Sequence, residues 1–464
     1  MSKESTQLMA ISPIDGRYAE KVEELSPIMS EGGLIQRRIK AECVYFLMLS
    51  DYGITRKLTS FERKLIEKVI SKGITLKDMM RIKELEKEKN HDVKAVESWL
   101  VEHFKSTSIS DLVDYFHFCL TSEDINNISY RLQLKDAKDE IIVPKIDEII
   151  DSLMKMAIEL SRMPMLGRTH GQAAVPTTVG KELSNFAVRL NKENRKLEKF
   201  MLTGKINGAV GNYNAINFIA PNINLFPFSE TYVSRLGLEL NLFTTQINAP
   251  EDIVECLQIL QRINGILVDL CQDMWRYISD DWFKQQKKAG EVGSSTMPQK
   301  VNPIDFENGE ANLQMANSII SGFVNKLQIS RLQRDLTDSS TLRNLGTILA
   351  HILVACKSTM KGLSKVSLNE EATSAALAKN WAILSEPVQL ILKKYSNVED
   401  AYSLVKDFFR GEYIFKKEYQ EYIGTLPLES DIKERLMGLT PVNYIGIAPE
   451  LVEEADYQIK KSRK

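Results

Sequence analysis

At 464 residues the chain is long enough for two to four domains with sizeable cores, at roughly 100–200 residues per domain. With 60 basic against 62 acidic residues and a net charge of −2, the overall balance gives no electrostatic argument for a nucleic-acid or membrane partner. The five cysteines (Cys43, Cys119, Cys256, Cys271, Cys356) are scattered and never form a C-x-x-C pair, which argues for reduced core thiols and against a disulfide framework or a structural zinc site.

The first residues lack an apolar signal region and no run is long enough to span a bilayer, so a cytoplasmic protein is expected. Up to about residue 110 the pattern predicts shorter helices, broken at Tyr52-Gly53 and Lys72-Gly73. The charged run from Arg81 to Lys89 reads as a solvated helix face laced with i,i+4 pairs. Longer stripes follow: Ile142, Ile146, Ile149, Leu153, Met156, Leu160; then Val179, Leu183, Phe186, Leu190, Leu197; then Ile253, Leu257, Leu260, Leu267, Leu270, Met274, Tyr277. Pro144 kinks the first of these or sits in its opening turn. Alternating strand patterns are sparse, the best being Lys205 to Asn212 and Leu238 to Gln246. After Lys361-Gly362 the segments shorten again, with turns at Gly411, Gly424 and Pro427. The expected architecture is all-α in three domains, 1–110, 111–361 and 362–464, the middle one a bundle of long helices.

Between two long helical segments lies Gly290 to Pro303, Gly-Glu-Val-Gly-Ser-Ser-Thr-Met-Pro-Gln-Lys-Val-Asn-Pro. Lys300 offers a fixed positive charge, Asn302 an amide, and Ser294 and Ser295 hydroxyls beside glycine. That set suits an anion or a developing oxyanion on a closing lid. Taken alone, the loop also reads as an ordinary Ser/Gly/Pro linker. His170 sits in a glycine-flanked turn that is expected to precede a helix, where general acid–base work or mere capping would both fit. Asn90-His91-Asp92 puts a carboxylate where it could hold the tautomer of His91, and Thr121-Ser122-Glu123-Asp124 looks like a helix N-cap box. His103, His117 and His351 lie in apolar helical segments and read as structural. Arg17 beside Tyr18, and Arg334 and Arg343 around Ser339-Ser340-Thr341-Leu342, fit bidentate recognition of phosphate or carboxylate, with surface ion pairing as the alternative for each. No Walker or dinucleotide glycine motif accompanies them, Gly204 to Gly211 having the wrong spacing, and no H-E-x-x-H or comparable metal-ligand pair is present.

Together these residues resemble the fumarase/aspartase superfamily, whose hallmark loop Gly-Ser-Ser-x-Met-Pro-x-Lys-x-Asn is matched from Gly293 to Asn302. The stretches around Arg17, His91, Thr121, His170, Lys205 to Asn214 and Arg334 are similar to those of the bacterial-type adenylosuccinate lyase family, from Ser12 to about Ile447. The resemblance implies cleavage of adenylosuccinate to AMP and fumarate, and of succinyl-aminoimidazole carboxamide ribotide to its carboxamide and fumarate. It also implies a homotetramer whose sites draw on three subunits, with small-molecule nucleotide substrates and no cofactor or metal. By the same resemblance Ser294 is the base and His170 the acid, Lys300 and Asn302 hold the succinyl carboxylate, and His91 lies near the substrate phosphate. Arg17, Tyr18, Arg334, Ser339 and Arg343 match nucleotide-binding positions, and Thr121, Ser122, Gln246 and Ser295 match positions on the succinyl portion or nearby. Asn90, Asp92, Val301, Asn308, Ser340, Thr341 and Leu342 complete the substrate-binding set that it implies. One departure is visible: where the family continues Thr-His-Gly-Gln with Pro-Ala, this chain has Ala173-Ala174. The competing readings are a sister lyase acting on argininosuccinate, fumarate/malate or aspartate, and a non-catalytic protein built on the same bundle.

Overall fold

The structure, a computed structural model, describes residues 3–286, 297, 300–410 and 414–463. The chain divides into two compact units, one formed by Met1–Lys145, Lys196–Gly265 and Ala311–Lys357, the other by Ile146–Arg195, Ile266–Glu310 and Ser358–Lys464.

In the first unit the helix Glu31–Asp51 is buried on nearly every side, and Ser30 caps it by accepting the Gly33 N–H at 3.1 Å. The helices Ser60–Lys72 and Leu76–Lys89 each open on a capping box, Thr59 with Glu62 and Thr75 with Asp78. Gly73 (φ 67°) and Asn90 (φ 51°) end them in left-handed backbone, which explains why the glycine punctuation was readable. With Asp92–Phe104 these helices bury Ile39, Phe46, Ile66, Ile82, Val96, Trp99 and Phe104 in one cluster, each large side chain contributing about 1.5–3 kcal/mol. The charged run on Leu76–Lys89 is paired differently from expectation. Arg81 meets Glu84 and Glu102, and Lys83 meets Glu86 and Glu31, so the pairs are i,i+3 or reach another helix.

The helix Ser122–Ala137 packs against Glu31–Asp51 and is buried along its length, so its polar side chains need internal partners. Arg131 pairs with Asp252 at 2.8 Å, and Asp124 with Lys205 at 3.0 Å. A π-helical segment, Lys138–Ile142, joins Ser122–Ala137 to Val143–Glu159 without a break, and Pro144 is the second residue of the latter, directly after the wide turn that already interrupts the i→i−4 ladder its missing N–H would have joined. Of the two strand candidates, Lys205 to Asn212 holds no strand, and Leu238 to Gln246 holds only Glu239–Leu240, which pairs in parallel with Thr203–Gly204 just before the first candidate.

Other long helices span Val179–Lys199, Glu251–Ser279, Ile304–Leu327 and Leu345–Leu363. The stripes expected on the first two are buried, with Leu190, Leu257, Leu260, Leu267 and Leu270 fully enclosed and only Tyr277 half-buried. In the second unit, the pattern that sequence periodicity missed is an antiparallel hairpin, Pro164–Thr169 with Gln172–Thr178. Glu370–Ala378 packs on its first strand, and Ala448–Ser462 and Trp381–Leu384 on its second. A second short antiparallel pair joins Phe283–Gln285 to Val366–Leu368. Gly424 lies inside the helix Lys416–Thr425 rather than in a turn, and Gly411 is outside the described residues. All five cysteines are free, four of them buried. No helix among the described residues is long and apolar enough to cross a membrane.

Candidate active site

In the first unit a cavity of about 420 Å³ is lined from five separate stretches of chain. One wall is the start of Ser122–Ala137. Asp124 accepts the Thr121 N–H at 2.9 Å, fixing the first turn and presenting Thr121 and Ser122 to the cavity, with Asn126 and Tyr130 further along. The expected N-cap box is therefore present, and it also supplies site residues.

His91 caps the neighbouring helix, Asp92–Phe104. Its Nδ1 accepts the Lys94 N–H at 3.2 Å, so the neutral ring carries its proton on Nε2, 3.3 Å from Ser122 Oγ. The tautomer is thus set by a backbone donor, because the Asp92 carboxylate turns to Arg38 at 2.6 Å. Burial works to raise the Asp92 carboxyl, but Arg38 and the Val93 N–H outweigh it and hold the group below the usual carboxylate range. Arg38, 2% exposed, also donates to Asn126 at 2.9 Å and lines the cavity.

The opposite wall comes from 333–343 and Gln246. Arg334 donates to Gln246 Oε1 at 3.2 Å and Ser339 Oγ at 3.3 Å, and its Nη2 lies 3.1 Å from Glu123 Oε2. Gln246 is itself tied down, donating its side-chain amide to the Ala209 carbonyl at 3.0 Å and its N–H to the Gln333 carbonyl at 3.3 Å. This close approach needs glycine at 211: φ is +82°, and a Cβ there would sit 2.1 Å from the Thr244 carbonyl. Ser340 and Arg343 complete the lining, and Arg343 meets no carboxylate among the described residues. Three guanidiniums line the cavity against the one carboxylate of Asp92, with Glu123 paired to Arg334 beside it, and in a space of nucleotide-ligand size they make an anion-recognising pocket.

This cavity gathers His91, Asp92, Thr121, Ser122, Gln246, Arg334, Ser339, Ser340 and Arg343 of the sequence-expected set. Asn90 instead closes a helix, and Thr341 hydrogen-bonds Thr337 within the short helix Thr337–Leu342 that also holds Leu342. Arg17 lines a separate space of about 850 Å³ with Ser12, Pro13 and Glu20, while Tyr18 is half-buried under Lys21. Sequence reasoning missed Arg38, Asn126, Tyr130 and Leu336 as lining residues. The one available signal was the pair of adjacent arginines, Arg37-Arg38, in a helical stretch that becomes strongly apolar from Cys43 onward.

In the second unit His170 (φ 51°) and Gly171 (φ 75°) form the two-residue turn of the hairpin, between paired Thr169 and Gln172. The expectation of a turn just before a helix is corrected: the strand Gln172–Thr178 intervenes before Val179–Lys199, so no helix N-terminus faces the imidazole from its own chain segment. The tip is exposed. Arg168 donates to the Gly171 carbonyl at 3.3 Å, lies 5.6 Å from the Trp282 ring centre and 3.8 Å from Asp280. Gly167 permits the bulge in the first strand, since a Cβ there would meet the Val175 carbonyl at 2.3 Å.

Ser294 and Ser295 lie outside the described residues, as does most of the Gly290 to Pro303 loop. Lys300 is exposed, with its N–H on the Met297 carbonyl at 3.0 Å. Val301 accepts from Gln285 at 2.9 Å, Asn302 is half-buried, and Asn308 donates to Ser358 at 2.7 Å. Of the histidines read as structural, His103 stacks on Trp99 and His351 lies 2.9 Å from Asn312, both within helices. His117 is not helical. It occupies left-handed backbone (φ 59°) with its Nδ1 2.6 Å from Glu42.

Comparison with known proteins places these features in context. A family profile described as lyase matches residues 16–320, and one described as adenylosuccinate lyase C-terminal matches residues 330–445. The chain is 42% identical over 456 residues to the adenylosuccinate lyase of Escherichia coli (strain K12), covering 97% of this chain and 99% of that one. It is 43% identical over 451 residues to the Haemophilus influenzae adenylosuccinate lyase, covering 96% and 98%. Among solved structures, the 3-carboxy-cis,cis-muconate lactonizing enzyme of Pseudomonas putida superposes with a TM-score of 0.74 at 19% identity, over 95% of this chain and 98% of that one. A fumarate lyase from Mesorhizobium sp. BNC1 gives 0.75 at 17%, over 93% and 97%. At such identities these two likenesses show a shared fold.

Proposed function

Because the chain belongs to the adenylosuccinate lyase family, of the all-α fumarase/aspartase superfamily, we propose that its first-unit cavity holds the nucleotide while Ser294, His170, Lys300 and Asn302 carry out the elimination. The activity is that of an adenylosuccinate lyase, a carbon–nitrogen lyase releasing fumarate in purine biosynthesis. Ser294 takes the proton from the carbon next to the distal carboxylate. The electron pair forms the fumarate double bond as the C–N bond breaks, and His170 protonates the leaving nitrogen of AMP. Negative charge that accumulates on the distal carboxylate is met by Lys300 and Asn302. Arg334, Ser339 and Arg343 take the phosphate, assisted by Arg17 and Tyr18, and His91 orients it. Thr121, Ser122 and Gln246 face the succinyl portion, with Ser295 nearby. The same chemistry serves succinyl-aminoimidazole carboxamide ribotide.

The observation that carries this reading is the gathering of His91, Ser122, Gln246, Arg334 and Arg343 around one cavity from distant parts of the chain. We further read the protein as a cytoplasmic homotetramer of three-domain chains with each site drawn from three subunits. The exposed hairpin tip, which leaves the His170 ring open to other chains, is compatible with that arrangement. Loss of adenylosuccinate absorbance on adding purified protein tests the activity. Turnover of another succinyl compound in its place would overturn the nucleotide assignment.

A further inference from the structure

We infer that Glu123 is a positioning residue of the anion site, which holds Arg334 in place and takes up a proton when a phosphate-bearing ligand binds. The inference rests on the assignment of Arg334 to the phosphate. Glu123 occupies the first turn of Ser122–Ala137, directly after Ser122 and a turn before Asn126, both of which line the cavity, and is 6% exposed. Its Oε2 lies 3.1 Å from Arg334 Nη2, and Arg334 is the one ionic partner it has among the described residues.

The other charges that face Glu123 are engaged elsewhere or repel it. Lys205 is held by Asp124 at 3.0 Å and Arg131 by Asp252 at 2.8 Å. Asp338, on the short helix after Arg334, adds like charge. Burial is the largest effect and, with Asp338, outweighs the three cations, pushing the Glu123 carboxyl up to about 7. The free site is then poised between two states. With Glu123 charged, Arg334 is neutralised and its anion affinity is weakened; with Glu123 protonated, the full cationic charge faces the cavity. A bound phosphate adds negative charge beside the same guanidinium, so it favours the second state, and a solvent proton moves onto a Glu123 oxygen. The protonated carboxyl can still accept from Arg334 through its carbonyl oxygen and keep the guanidinium aimed.

Calorimetric titration of the full-length protein with AMP, in two buffers of different ionisation enthalpy, reads this directly. At about pH 8, above the phosphate's own second ionisation near 6, the wild type takes up close to one proton per AMP, and adenosine, lacking the phosphate, takes up none. Glu123→Gln abolishes the uptake and binds AMP roughly 10-fold tighter at that pH, the cost of protonating a group one unit below ambient pH, with no difference below about pH 6. Should Glu123→Gln not fold, Asp338→Asn provides the second arm by moving the onset of uptake to lower pH. Wild-type binding without proton uptake overturns the inference, as does uptake that persists in Glu123→Gln. Unchanged AMP affinity in Arg334→Met would instead sink the phosphate assignment itself.

Discussion

The Nη1 of Arg168 donates to the carbonyl of Gly171 at 3.3 Å, bracing the turn whose first residue is His170. Left-handed backbone at a non-glycine residue costs roughly 1–2 kcal/mol and persists where the surroundings over-determine it. Here Arg168, stacked beside Trp282, supplies that constraint, and Ala173 stands opposite it in the hairpin where the family carries proline. Arg168→Leu is expected to lower kcat by about 10- to 100-fold with KM unchanged, because a small misplacement of the acid costs rate and not binding. Ala173→Pro in the same chain should restore part of the loss by stiffening the turn. Steady-state kinetics checks both, and an unchanged kcat in Arg168→Leu would show that the turn holds its own shape.

Ser294→Ala and His170→Ala are each expected to lose about 10²- to 10⁴-fold in kcat, the usual yield of one acid or base. Refolded together, the two inactive chains should regain activity, since some sites of a mixed tetramer receive both intact groups. Mixing without recovery would argue against shared sites, and full turnover by either variant alone would remove that residue from the mechanism.

Arg343 faces the cavity without a carboxylate partner among the described residues, so its charge is available to a ligand. Arg343→Met should raise KM for adenylosuccinate by roughly 10- to 100-fold, the worth of one or two charge-assisted hydrogen bonds at about 1.5–3 kcal/mol. The dephosphorylated succinyladenosine serves as control. An equal loss with that compound would mean that Arg343 does not read the phosphate.

The parts of this protein legible in its sequence are those governed by local rules. Ile146, Leu153, Leu183, Leu190, Leu257 and Leu270 repeat at helical spacing, and the structure buries every one. Thr121 and Asp124 announce a helix start, and they make one. The hairpin around His170 escaped because Pro176 and the Leu166/Arg168 bulge break its alternation, and its turn asks a histidine to adopt the left-handed conformation usually left to glycine. Arg38 and Glu123 escaped for a different reason. A charged residue on a helix reads as surface, and only tertiary contact with Asp92 and Arg334 reveals it as buried and paired.

Lys205 and Asp124 form a buried pair at 3.0 Å with neither side chain exposed, directly behind the turn that presents Thr121 and Ser122. Lys205 also donates to the Gly208 carbonyl at 2.8 Å, and Asp124 accepts the Gly208 N–H at 3.2 Å, so the pair ties the glycine loop to the helix start. Lys205→Met is expected to destabilise the protein by about 3–5 kcal/mol, since it strands a buried carboxylate. Urea unfolding measures this. A change below about 1 kcal/mol, the range of a surface pair, would show that Asp124 finds other compensation.

His117 and Glu42 set a pH dependence separate from catalysis. The Glu42 carboxylate, fully buried, lies 2.6 Å from the imidazole Nδ1 and also accepts the His117 backbone N–H at 3.1 Å. Burial alone would push the imidazole down, but the charge and hydrogen bond of Glu42 outweigh it, and the group is raised above its ordinary 6.5. The folded chain therefore binds this proton more tightly than the unfolded one. Its contribution is fully present below the unfolded value and is lost as pH rises through the raised folded value. His117→Asn keeps a residue that tolerates left-handed backbone while removing the titration. As pH rises from below 6.5 through the raised folded value, the wild type should lose stability relative to this variant in urea unfolding. Parallel pH profiles for the two proteins would mean that the pair does not store its energy in the imidazole proton.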